Sequence, residues 1–141
     1  MLSRIVVVAL IAAAVIAGPP TFTICGAGSL TGAQVTSVDA DWKAGTTVTF
    51  TVSGELNAPI VAGATAHSVA KFSGSEVENK TDDLCTYSGT PFQCPVSTGA
   101  QSWTFPFAIP NIPFAGTLTS QTDFKNADGS VILCLQLEVK L

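Results

Sequence analysis

The chain has 141 residues, with six cationic against ten acidic side chains and a net charge of −4. It has no cationic run to hold a phosphate backbone, which sets nucleic acid aside as a partner, and no strong pull toward an anionic membrane. At 47% hydrophobic and only 11% charged, it also carries more apolar side chain than a thin core consumes.

The first segment, Met1-Leu2-Ser3-Arg4 followed by an unbroken apolar run from Ile5 to Ala17, reads as a secretory signal peptide spanning 1–17. The run falls short of the roughly 20 apolar residues that a membrane span needs, and Gly18-Pro19-Pro20 suits an exposed cleavage loop. Residues 18–141 are then expected to form a single domain. In an oxidising compartment Cys25, Cys85, Cys94 and Cys134 are expected to form disulfides, for which three connectivities exist. Proximity favours Cys85 with Cys94, leaving Cys25 for Cys134. A zinc site is disfavoured because no C-x-x-C pair is present.

Residues 25–33, CGAGSLTGA, read as small and flexible, and they miss G-x-G-x-x-G by one position. A short strand is expected over Gln34–Val38 and a turn over Asp39–Gly45, where Asp and Gly supply the unusual backbone angles. Thr46–Gly54 is the cleanest strand, with Val48, Phe50 and Val52 on one side and threonines on the other. After a turn at Glu55–Pro59, a long strand is expected over Ile60–Phe72. Most of its residues are small (Ala62, Gly63, Ala64, Ala66, Ser68, Ala70), and they leave space beside them.

Ser73-Gly74-Ser75 breaks that strand, and Glu76–Asp83 is polar and acidic. Asn79-Lys80-Thr81 is a glycosylation acceptor on a chain routed through the secretory pathway. Cys85 to Cys94 reads as a stapled loop. Trp103–Ile109 alternates large apolar with small or polar residues, the period of a strand with one buried, aromatic face. Pro110-Asn111-Ile112-Pro113-Phe114 cannot continue a central strand, yet it still presents bulky apolar groups, as the rim of an apolar site would. Gly116–Lys125 is a further strand with Leu118 and Phe124 on one side. Asn126-Ala127-Asp128-Gly129 is a hairpin turn. The last strand, Val131–Leu141, has apolar odd positions, with Gln136, Glu138 and Lys140 pointing out and Cys134 on that same outward side.

Catalysis has little support. His67 is the only histidine and reads as a solvent-facing strand residue. The pairs Asp39 with Asp41 and Asp82 with Asp83 read as turn residues rather than metal ligands. No nucleophile elbow, zincin or calcium-loop pattern is present. The expectation is therefore a non-enzyme with no catalytic residue, no metal and no cofactor.

About six strands with no helix after residue 17 predict an all-β, immunoglobulin-like two-sheet β-sandwich, with an antiparallel barrel second. Its inner faces would carry Val48, Phe50, Val52, Phe72, Trp103, Phe105, Phe107, Ile109, Leu133, Leu135 and Leu137. That surplus either packs solid or lets the sheets splay around an apolar ligand in a site of roughly 300–1,000 Å³.

The ordered features resemble the ML family of secreted lipid-recognition domains, which includes the Niemann-Pick type C sterol carrier, phosphatidylglycerol/phosphatidylinositol transfer proteins and mite allergens. They are Cys25, the Gly45–Gly54 strand, Pro59–Ala64, Asp83-Leu84-Cys85, Cys94-Pro95, the proline-bounded segment Ile109–Gly116, Asp128-Gly129 and Cys134. The resemblance implies bridges Cys25–Cys134 and Cys85–Cys94, and a sterol or phospholipid held in an apolar cavity between the sheets. One departure stands out: where sterol-carrying members usually have a third cysteine pair, this chain has Asp39–Gly45 with none.

On this reading lipid enters past Pro110, Ile112, Pro113 and Phe114. It lies against Val48, Phe50, Val52, Phe72, Trp103, Phe105, Phe107, Ile109, Leu133 and Leu135, held by apolar burial without an ionic clamp. A monomer touching membranes transiently, secreted or in the endolysosomal lumen, is the corresponding expectation. The competing classes are a cargo-free protein-interaction module and an accessory that presents lipid to a receptor.

Overall fold

The computed structural model describes residues 19–37 and 42–141. The expected signal peptide, 1–17, lies outside them, as do Val38 and positions 39–41 of the expected turn. Eight strands follow in order: β1 Thr21–Ala27, β2 Leu30–Ser37, β3 Thr47–Leu56, β4 Thr65–Phe72, β5 Ser75–Asp83, β6 Gly99–Ala108, β7 Thr117–Lys125 and β8 Val131–Lys140. They form two antiparallel sheets, a five-stranded one in the order β1-β8-β7-β4-β5 and a three-stranded one in the order β2-β3-β6. The all-β two-sheet sandwich is as expected, with two strands more than the periodicity predicts.

Both extra strands were hidden by composition. The end of β1 and the start of β2 come from the stretch read as small and flexible, and β1 is paired to β8 from Thr21↔Glu138 to Ala27↔Leu133. The small residues there serve close backbone approach: a Cβ on Gly28 would lie 1.8 Å from the Val131 carbonyl oxygen. β5 is the polar, acidic segment, and it holds as a strand because it pairs with β4 along its whole length, Phe72↔Ser75 to Thr65↔Asp83. It is an edge strand, so one face of its backbone ladder is open and its polar composition is the normal protection.

The long strand expected over Ile60–Phe72 starts only at Thr65. Ile60 makes an isolated bridge to Val96 instead. Asn126 explains the break, because its amide donates to the Pro59 carbonyl (2.7 Å) and accepts from the Val61 N–H (3.2 Å), tying residues 59–61 to the β7–β8 hairpin. In that hairpin Gly129 takes a φ of 85°, as an Asp-Gly turn requires. The Asp128 carboxylate accepts from the N–H and hydroxyl of Ser130, which lowers its pKa.

The core is the expected inner face with three corrections. Val48, Phe50, Val52, Trp103, Phe105, Ile109, Leu133, Leu135 and Leu137 are all buried. Ile132 is buried as well, because the β7–β8 register slips between Phe124 and Lys125 and turns this even-numbered residue inward. Trp42, assigned to a polar turn, has 0% exposure; its indole N–H donates to Ser37 Oγ (2.9 Å) and its ring meets Phe22 and Phe107. Phe92, assigned to the stapled loop, is buried against Trp103 (4.8 Å) and Phe105 (5.6 Å). Cys134 lies on the outer side of β8 with Gln136, as expected, and its disulfide to Cys25 leaves it buried there.

Two disulfides close the domain, Cys25–Cys134 and Cys85–Cys94. The first spans 109 residues and, in the loop-entropy model, is worth about 4–5 kcal/mol. The second pins the loop that carries Phe92.

Candidate functional site in a cleft between the sheet edges

The three-stranded sheet is two strands narrower than the sheet it packs on. Between edge strands β5 and β6 this leaves a cleft of about 450 Å³. Its floor is aromatic: Phe50 of β3, Phe105 and Phe107 of β6 and Phe124 of β7. Phe50 stacks on Phe105 (5.4 Å between centroids) and Phe105 meets Phe124 (5.6 Å), so the floor is one continuous ring cluster spanning both sheets. Ala66 and Ser68 of β4 line the opposite wall, and their small size is what keeps the space open. That is where the run of small residues in the sequence has its effect.

The mouth is polar. Ladder pairing sets Glu78 opposite Ala70, Lys80 opposite Ser68 and Asp82 opposite Ala66, so these three β5 side chains share the inner face with the small residues of β4. All three line the cleft. The Lys80 ammonium sits 3.9 Å from Glu78 Oε1 and 3.8 Å from Asp82 Oδ2. Tyr87 closes one end. Burial, then the nearby Asp82 charge, pushes its phenol up to about 12, while a hydrogen bond with Thr90 pulls the other way. At neutral pH it is a neutral hydroxyl at the junction of floor and mouth.

Deeper between the sheets there is almost no room. A void of about 10 Å³, the space of one water molecule, lies among Leu30, Val52, Leu84, Phe92, Trp103, Phe105, Phe124, Ile132 and Leu133. A third space, about 370 Å³, is a polar groove on the outer face of β4, β7 and β8, lined by His67, Lys71, Gln121, Asp123 and Gln136 among others.

The residues expected to contact a ligand therefore separate into three groups. Phe50, Phe105 and Phe107 line the open cleft, whereas Val52, Trp103 and Leu133, together with Phe105, surround the small void. Val48, Phe72, Ile109, Pro110, Ile112, Pro113, Phe114 and Leu135 line neither space. Of the proline-bounded segment, Ile109 is buried, Ile112 is half-buried against the core and Phe114 is 70% exposed. Sequence reasoning named Ala66 among the residues that leave room but missed Tyr87 and Phe124 as cleft residues, and it treated the row Glu78, Lys80, Asp82 as an undifferentiated acidic stretch. Its strict charge alternation was the available signal.

Asn79 and Thr81 project from β5 away from the cleft. The Asn79 side chain is exposed, with its Oδ1 2.8 Å from His67 Nε2 and its amide donating to Glu76 Oε1 (3.3 Å). Among the described residues no three His, Cys, Asp or Glu side chains gather as a metal site.

Comparison with known proteins gives the same architecture. The carpenter-ant Niemann-Pick type C2 protein superposes with a TM-score of 0.57 at 15% identity, covering 85% of this chain and 98% of that one. Chicken MD-1, solved with lipid IVa, superposes with a TM-score of 0.52 at 17% identity over 87% and 97% of the two chains. At these identities the likeness is one of fold. In sequence, the chain is 31% identical over 97 residues to "Putative phosphatidylglycerol/phosphatidylinositol transfer protein 2" of Dictyostelium discoideum, covering 69% of this chain and 68% of that protein. The family model for the ML domain matches residues 21–141, almost the whole described chain, and the protein is a member of the ML-domain family.

Proposed function

We propose that the protein is a lipid carrier that holds a sterol or phospholipid in the cleft between β5 and β6 and passes it between membranes. The observation that carries this reading is the 450 Å³ cleft itself, with an aromatic floor and a polar mouth. Its size lies within the range of small-molecule sites, and its division into apolar depth and polar rim matches an amphiphile entering tail first. Apolar burial at about 25 cal/mol per Å² supplies the affinity. The lipid named in the Dictyostelium relative and the lipid bound in chicken MD-1 support the same class of cargo.

The 10 Å³ void argues that the ligand lies along the edge cleft rather than across the sandwich centre. On this placement Phe50, Phe105, Phe107 and Phe124 are the contact residues, and Val52, Trp103 and Leu133 support them from behind. Phe114, exposed in the β6–β7 loop with Pro113 beside it, is the group with which a monomer touches a bilayer transiently. The two disulfides and the 1–17 segment support secretion or delivery to the endolysosomal lumen, where Asn79 accepts a glycan on the face opposite the cleft.

The test is native mass spectrometry of the protein purified from its secretory pathway, paired with extraction and identification of bound lipid. A stoichiometric sterol or phospholipid is expected. An empty protein that takes up none from vesicles would defeat the carrier reading in favour of a cargo-free interaction module.

A further inference from the structure

The cleft's charged side chains, Glu78, Lys80 and Asp82, occur in one row along its mouth with signs minus, plus, minus. Resting on the carrier reading, we propose that this row selects phospholipids with a zwitterionic headgroup, a phosphate joined to an ammonium, over anionic phospholipids and sterols. Alternate residues on β5 share a face, so the row sets opposite charges side by side, 3.9 and 3.8 Å apart, at the scale of a phosphoethylammonium group. A phosphate beside Lys80 places its ammonium next to Glu78 or Asp82, and both of its charges meet a partner.

An anionic headgroup fares worse. Its phosphate reaches Lys80 only by competing with two carboxylates already within 4 Å of that ammonium, and it offers nothing in exchange. Asp82 also projects its field onto Tyr87, so the tyrosine end of the mouth is electronegative as well. A sterol hydroxyl would leave all three charges with no gain over water, while the hydroxyls of Ser68 and Thr122, 3.0 Å apart, satisfy each other across the wall. The row departs from the purely apolar site that composition predicts. The floor holds any tail, and the edge strand reads the headgroup.

The test uses delipidated full-length mature protein. It is incubated with vesicles holding phosphatidylcholine and phosphatidylglycerol of identical acyl chains in equal amounts, with and without cholesterol. Placing both headgroups in one bilayer removes any bias from repulsion between an acidic protein and an anionic membrane. Bound lipid is extracted and its composition measured, with thermal unfolding of each variant as the control for folding.

The wild type is expected to enrich phosphatidylcholine about three- to tenfold, and the enrichment should shrink as salt is raised. In the double variant Glu78→Gln with Asp82→Asn the ratio should fall to about one or invert, and Lys80→Gln should lower phosphatidylcholine uptake. Equal or preferential uptake of phosphatidylglycerol by the wild type overturns the inference, as does uptake of cholesterol alone or a ratio that the double variant does not move. All three leave the carrier reading standing, whereas absence of any bound lipid overturns both.

Discussion

The two halves of the inter-sheet space share one aromatic strand and end up as opposites. At the centre, Trp103 and Phe105 of β6 meet Phe92, Leu84 and Ile132, and about 10 Å³ is left. At the edge, Phe105 and Phe107 of the same strand face Ala66 and Ser68, and about 450 Å³ stays open. The difference is not in the aromatic residues. It lies in what is brought opposite them: a plug carried by a disulfide-pinned loop on one side, and a strand of small residues with a charged rim on the other. A sandwich of this size stays well packed because its vacancy is confined to one edge.

The largest expected effect comes from removing the plug. Phe92→Ala should destabilise the fold by about 3–5 kcal/mol, read by chemical denaturation, because the buried ring leaves a cavity beside a void that already exists. A cost under about 1 kcal/mol would mean that the central packing does not depend on the loop. Cutting the staple with Cys85→Ser and Cys94→Ser is next. For a bridge of nine-residue separation the loss is about 2–3 kcal/mol, and lipid uptake by the edge cleft should survive it.

Filling the open side separates the two halves most sharply. Ala66→Phe places a ring in the cleft, so lipid uptake should fall at least tenfold while stability changes by only about 1–2 kcal/mol. Retained uptake would move the ligand elsewhere. The smallest effect is spectroscopic. Tyr87 is the only tyrosine in the chain, so ultraviolet titration reads it alone, and its phenol should ionise near 12 rather than near 10. Because the folded pKa is the raised one, the associated stability is intact below pH 10 and is lost as pH climbs toward 12. Ionisation near 10 would place the ring in bulk water.

The sheet faces were legible from β3, β6 and the second half of β8, where alternation of apolar and polar residues reports one buried side. Alternation failed wherever something other than side-chain burial fixes a strand. β1 is held by its ladder to β8 and a disulfide, with Gly28 demanded by a backbone contact that no periodicity encodes. β5 has one paired edge, and its inward residues face a cleft rather than a core, so its polar character looked like a loop. Trp42 and Phe92 were legible only as large aromatics in segments otherwise read as turns, and nothing local says which cavity such a ring will fill. The aromatic floor was largely visible: Phe50, Phe105 and Phe107 were named, while Phe124 joins them only through the cross-sheet packing of β7.

The charged row on β5 also bears on how the protein behaves in concentrated solution. An edge strand offers its free amides and carbonyls to any passing strand, and inward-pointing charges are among the features that make such pairing unfavourable, since a joining sheet would have to bury them. Glu78, Lys80 and Asp82 thus guard the edge against β-sheet growth from one molecule to the next. Neutralising them to retune cargo preference is expected to lower that guard, and light scattering of the Glu78→Gln, Asp82→Asn protein should rise with concentration sooner than that of the wild type.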